Sequence, residues 1–260
     1  MNKFHWTVLG NGKFNLILIH GLGFNSNIWH LLLPKLYTNF KIYLVDLPGY
    51  GKNTHLKFTN LNNIAKFLAK YIPSSSILLG WSMGGLITHK IAIFCPKKIK
   101  GIINVSSSPC FIKHDNWPGI SKNILNELYT KLILNYKKTI KDFINIQFLH
   151  LKNLDLKIQI LKKLVLSYPK PTLSTLKKGL KLLCSSDLRK EISKIKIPYL
   201  KIYGAWDVLV PKEIFYILDK ENSNTKSIIM KNSSHAPFIS EQHKFCFIIH
   251  QFSNYINTYL

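Results

Sequence analysis

The chain predicts an α/β fold: a mostly parallel, doubly wound sheet with a helical cap insertion. Three observations lead there. Short apolar runs without polar alternation are separated by stretches of helical spacing, as in a sheet covered on both faces. Strand signals stop between about Cys110 and Ser186. Alternation of strand and helix then resumes. The chain therefore divides into a core of residues 1–110 and 187–260 and a cap of residues 111–186.

In chain order, the first strand expected is Asn15 to Ile19, "NLILI", ending at His20-Gly21. Lys41 to Val45 follows and ends at "DLPGYG". Apolar residues at helical spacing then run through "LNNIAKFLAKYI". "SILLG", Ser76 to Gly80, leads into a bend and the helical stretch "GLITHKIAIF". "GIINV", Gly101 to Val105, ends at "SSSP". The cap reads as four lysine-rich amphipathic helices, roughly Ser121 to Leu134, Lys137 to Leu149, Asp155 to Ser167 and Thr172 to Cys184. Core elements return as a strand at Pro198 to Gly204, a helix near Lys212 to Leu218 and a strand at Lys226 to Met230. A last helix runs through "FCFIIHQFSNYI".

The 260 residues suffice for one large α/β domain with an insertion, and a hydrophobic fraction of 47% allows a core without staples. No apolar run approaches the roughly 18 residues of a membrane helix, and the opening stretch has no signal-peptide h-region. A cytoplasmic monomer without a membrane partner is expected. Cys95, Cys110, Cys184 and Cys246 lie far apart, which argues for reduced thiols over a zinc or redox site. The net charge of +24 fits an acidic partner or general lysine drift. Arg189 is the only arginine and no nucleic-acid motif is present, so no nucleic-acid partner is expected.

Chemistry concentrates at Gly80-Trp81-Ser82-Met83-Gly84. This G-x-S-x-G sequence lies between an expected strand and helix, where a sharp bend exposes a serine and leaves no room for flanking side chains. A serine nucleophile needs a base, and the base needs an orienting acid. Asp207, in "YGAWDVLVP", and His235, in "NSSHAPF", follow Ser82 in that order, each after an expected strand. Singly, Asp207 could cap a helix and His235 could be a turn residue; jointly they make a Ser82–His235–Asp207 triad. The oxyanion donors would be the backbone N–H groups of Met83 and of Leu22, in "HGLGFN". His20 is assigned to the shape of that loop, not to catalysis. No cofactor or metal is called for.

The stretches "LIHGLGFNSNIW", "LVDLPGYG", "LLGWSMGGL", "YGAWDVLVP" and "SSHAPFIS" resemble α/β hydrolases with a helical cap. More narrowly, "SSSPCF", "DNWPGI", "FINIQ", "SSDLRKEI" and "HAPFIS" resemble the pimeloyl-ACP methyl ester carboxylesterases of biotin synthesis. The resemblance implies the α/β-hydrolase fold, with Ser82 as nucleophile, His235 as proton shuttle and Asp207 as orienter. It implies substrate contacts at Leu22, Ser82, Met83, Phe143, Ile144, Asn145, Ile146, Gln147 and His235. It also implies basic cap residues that hold an acidic acyl carrier protein, for which Lys137, Lys138, Lys141, Lys152 and Lys157 stand in suitable positions. Leu22 stands where the family has tryptophan, which softens the pocket wall and keeps the backbone donor.

Two other functions fit the same residues. One is a general carboxylesterase, or a hydrolase of carbon–carbon bonds, indifferent to a carrier. The other is a hydrolase-like protein that binds an anionic surface or nucleic acid through its basic face without catalysis.

Overall fold

A computed structural model of the chain describes residues 3–148, 155–221 and 225–259. Among these, seven strands form a single sheet in the order β1-β3-β2-β4-β5-β6-β7. They are β1 (Trp6–Leu9), β2 (Phe14–Ile19), β3 (Phe40–Val45), β4 (Ser76–Trp81), β5 (Ile99–Val105), β6 (Tyr199–Gly204) and β7 (Thr225–Met230). All neighbouring pairs are parallel except β1, which runs antiparallel along β3 with Trp6 opposite Val45. Strands β4 and β6 are buried at every residue, which is why they read as continuous apolar runs.

The core helices are α1 (Leu33–Leu36), α2 (Leu61–Ala69) and α3 (Met83–Phe94), of which α3 is buried from Met83 to Ala92. Between β5 and β6 the chain leaves the sheet for α4 (Lys122–Leu134), α5 (Tyr136–Ile146), α6 (Asp155–Leu166) and α7 (Leu173–Ser185), followed by the short α8 (Arg189–Ile192). Each start of α4, α5 and α7 has a polar cap: Ser121 accepts from Ile124 N–H, Asn135 from Lys138 N–H and Thr172 from Thr175 N–H. The two ends of this excursion meet, because Leu188 N–H donates to Pro109 O at 2.9 Å and Cys110 bridges Asp187. Elements α9 (Glu213–Glu221), α10 (Pro237–Ser240) and α11 (Gln242–Tyr259) complete the core.

The architecture is the doubly wound sheet expected, with one strand, β1, and the short helices α1, α8 and α10 added. Strand β1, WTVL, is only four residues long and half exposed, and it pairs along β3 at the sheet edge. Most expected elements shift by one to three residues at their ends. The helix expected from Lys137 to Leu149 spans Tyr136–Ile146. Leu149 itself lies outside the described residues.

Candidate active site

Four loops at the carboxyl ends of parallel strands converge: those after β2, β4, β6 and β7, the edge where open α/β sheets build sites. Ser82 occupies the bend between β4 and α3 with φ 54° and ψ −119°, a region costly for any residue with a Cβ. The glycines beside it are required by contact. A Cβ on Gly80 would lie 2.5 Å from Gly84 O, and one on Gly84 would lie 2.4 Å from Ile19 O. Three hydrogen bonds to its main chain pin the strained residue. Ser82 N–H donates to Val105 O at 2.9 Å, and Ser82 O accepts from Gly85 N–H at 2.9 Å and from Ser107 Oγ–H at 2.8 Å.

The imidazole of His235 is fixed from several sides. Its Nδ1–H donates to Asp207, at 2.8 Å to Oδ2 and 3.0 Å to Oδ1. Asp207 Oδ1 also accepts the N–H groups of Leu209 and Val210, at 2.9 and 3.0 Å. That tautomer leaves Nε2 as the free acceptor. Trp81 Nε1–H donates to His235 O at 2.8 Å, so the residue before Ser82 holds the His235 loop. The His235 loop packs directly on β6, where a Cβ on Gly204 would lie 1.9 Å from Ser234 O. Ser82 Oγ makes no hydrogen bond to the ring among the described residues; unliganded serine–histidine pairs are commonly loose and tighten with substrate.

Leu22 lies in the turn after β2, closed by Phe24 N–H to Gly21 O at 3.4 Å, and Met83 opens α3. First-turn N–H groups of a helix lack intrahelical acceptors, so Met83 N–H is available to an anion. His20 shapes this loop: its Nδ1–H donates to Gly21 O at 2.8 Å, and its Nε2 accepts Leu47 N–H at 3.1 Å. Burial holds its pKa below the ordinary histidine value despite the nearby Asp46. With both ring nitrogens engaged, His20 stays neutral and structural.

Ser82, His235 and Leu22 floor a narrow apolar cavity of about 40 Å³, roofed by Leu125, Leu132, Ile140 and Phe143. Of the five residues expected to contact an acyl chain from α5, Phe143 alone lines the cavity. Ile144 is buried within the helical layer, and Asn145 and Ile146 are exposed. Gln147 is buried, and its Oε1 accepts Ala236 N–H at 2.9 Å. Lys137, Lys138 and Lys141 are exposed on α5, and Lys157 is exposed on α6. Lys138 pairs with Asp142 at 2.5 Å on that surface. Lys152 lies outside the described residues. Among the described residues no cluster of three potential metal ligands occurs, and no helix is long and apolar enough to cross a membrane.

Sequence reasoning missed three contacts here: Trp81 to His235, Gln147 to Ala236, and the Tyr136 hydroxyl donating to Gly23 O at 2.9 Å. They join residues 154, 89 and 113 positions apart and so carry no local pattern.

Residues 15–242 match the family model described as alpha/beta hydrolase fold. A protein of Wigglesworthia glossinidia brevipalpis named pimeloyl-[acyl-carrier protein] methyl ester esterase is 46% identical over 259 residues, covering 99% of this chain and 100% of that protein. A Yersinia enterocolitica protein of the same name is 37% identical over 258 residues, covering 99% and 100%. An esterase structure from Exiguobacterium antarcticum superposes with a TM-score of 0.83 at 21% identity, over 97% of this chain and 95% of that one. The enol-lactonase structure from Burkholderia xenovorans LB400 gives 0.80 at 16% identity, over 96% of each. At such identities the structural matches speak for the fold alone.

Proposed function

The chain belongs to the α/β-hydrolase family and, within it, to the pimeloyl-[acyl-carrier protein] methyl ester esterases; from that premise we propose that it hydrolyses pimeloyl-[acyl-carrier protein] methyl ester to the pimeloyl carrier and methanol, in biotin synthesis. It is a carboxylic ester hydrolase. The observation that carries the chemistry is a strained serine at the end of β4 facing the same apolar cavity as a histidine held by a buried aspartate.

In this reading Ser82 Oγ attacks the ester carbonyl carbon while His235 Nε2 takes its proton. The carbonyl electron pair becomes an oxyanion, received by the N–H groups of Leu22 and Met83. Collapse breaks the bond to the methoxy oxygen, and His235 returns the proton to give methanol. Water, deprotonated by the same nitrogen, then attacks the acyl-serine and releases the carboxylate and free Ser82. Acid–base assistance of this kind is worth about 10²–10⁴-fold, and each oxyanion donor about 10²–10³-fold.

Residues 111–186 act as a cap in this reading. The cavity beneath α4 and α5 is narrow, so side chains of the helical layer part as a seven-carbon chain enters. We assign Lys137, Lys138, Lys141 and Lys157 to the acidic carrier, whose encounter a basic face would accelerate. Docking there delivers the distal ester to Ser82 and leaves the more reactive thioester outside. Leu22 gives the chain a soft aliphatic wall. The enzyme works as a monomer in the cytoplasm.

The test compares hydrolysis of the carrier-bound methyl ester with that of the same ester lacking the carrier, using Ser82→Ala as blank. Strong preference for the carrier form and a dead blank support the assignment. Equal rates would leave a general carboxylesterase.

A further inference from the structure

Helix α5 touches both loops on which that reaction depends. At its first residue, Tyr136 O–H donates to Gly23 O at 2.9 Å, in the turn that carries the Leu22 N–H. Immediately beyond its last residue, Gln147 Oε1 accepts Ala236 N–H at 2.9 Å, one residue after His235. The Gln147 amide nitrogen donates back to Phe143 O at 3.3 Å, which turns the oxygen towards Ala236. Between the two ends, Phe143 stands edge-on to His235, with ring centres 6.0 Å apart and planes at 88°. Its ring also lies 5.7 Å from that of Trp81.

Both end contacts are buried, Tyr136 at 7% and Gln147 at 5% exposure. Burial removes competing water, so each bond is stronger than a surface one and each partner would be left unsatisfied without it. Burial also pushes the Tyr136 phenol pKa far up, so the group remains a neutral donor. A single rigid helix thus spans the oxyanion turn and the base loop.

We infer that α5 is a positioning strap for catalysis, with Tyr136 setting the oxyanion turn through Gly23 and Gln147 setting the His235 imidazole through Ala236. Neither side chain touches the reacting atoms, so both are positioning residues. Gln147 therefore acts through the protein backbone and not as the acyl contact its place in "FINIQ" implies. The inference rests on Ser82, His235 and the Leu22 N–H serving as proposed above.

A small substrate separates the roles, because p-nitrophenyl acetate has no acyl chain to reach Gln147. Tyr136→Phe and Gln147→Leu should each lower kcat for this ester about tenfold, as for the loss of one buried hydrogen bond felt only in the transition state, with KM within about twofold. Gln147→Glu keeps an acceptor for Ala236 N–H but sets a buried carboxylate oxygen against Phe143 O, so it should recover the rate only in part. Tyr136→Phe keeps the ring and its packing, so the test survives if Gln147→Leu does not fold. Unchanged kcat on the acetyl ester, with a raised KM for pimeloyl methyl ester in Gln147→Leu, would make it an acyl contact and overturn the strap. So would an unchanged kcat on the acetyl ester in Tyr136→Phe. Residual turnover in Ser82→Ala would instead overturn the triad on which the inference rests.

Discussion

Asp207 Oδ2 lies 2.8 Å from His235 Nδ1, while Asp207 Oδ1 accepts two backbone N–H groups, from Leu209 and Val210. The carboxylate is therefore committed on both oxygens. In Asp207→Asn the amide oxygen must stay with those two donors, which turns its NH2 towards His235. The imidazole then has to accept at Nδ1 and carry its proton on Nε2, the wrong tautomer for a base. We expect kcat to fall about 10⁴-fold with secondary structure unchanged by circular dichroism.

Strain at Ser82 makes activity and stability oppose each other. Its φ of 54° suits glycine, so Ser82→Gly should abolish turnover and raise unfolding stability by about 1 kcal/mol, the relieved strain less the entropy of a glycine. Ser82→Ala keeps the Cβ and should be inactive without that gain. Urea unfolding of the two variants side by side decides it.

The neighbouring glycines fail in the other direction. A methyl at position 84 meets the Ile19 carbonyl oxygen at 2.4 Å, and backbone cannot move aside as a side chain does. Gly84→Ala should lose about 3 kcal/mol, as for severe overpacking, and lose activity with it. A urea midpoint equal to that of the parent chain would refute the contact.

Acid should weaken the fold at His89. Burial, helped by the nearby Lys201 charge, lowers its pKa to about 3, below the unfolded value of 6.5. As pH falls below 6.5 the unfolded chain binds the proton first, so the stabilisation is complete above that value and is lost towards pH 3. Its slope is about 1.4 kcal/mol per pH unit. Between about pH 6.5 and pH 5 the parent chain should lose about 2 kcal/mol more than His89→Gln. Equal losses would show that His89 takes up no extra proton on unfolding.

Salt separates the carrier-bound ester from the free one. If exposed cap lysines steer an acidic carrier, raising the ionic strength from about 0.05 to about 0.5 M should cut kcat/KM for the carrier ester about tenfold. The carrier-free ester should change far less. Parallel salt curves for the two substrates would remove the lysines from recognition.

The parts legible in the sequence are those fixed locally. The sharp bend at Ser82 shows as glycines two places either side of it, and parallel strands show as apolar runs because both their faces are covered. The order of Asp207 and His235, each after a strand, announces two loops that the structure brings into hydrogen-bond contact. Strand β1 was not legible, since its four residues, WTVL, are too short a run to show a period. The place of Gln147 was not legible either: resemblance puts it beside the acyl chain, and a contact with Ala236 puts it under the histidine loop. Likewise nothing around Tyr136 announces a bond to Gly23 across the site.

The helical excursion departs from and returns to nearly the same point, with Leu188 bonded to Pro109. A segment hinged at adjacent ends can lengthen, shorten or be exchanged at little entropic cost, because loop closure depends only weakly on length. The sheet and its register need not notice the change. Substrate preference can thus diverge while the reactive framework stays put, on one condition set by α5. Any replacement layer must offer a donor to the Gly23 carbonyl and an acceptor to the Ala236 amide, or it inherits a disarranged catalyst.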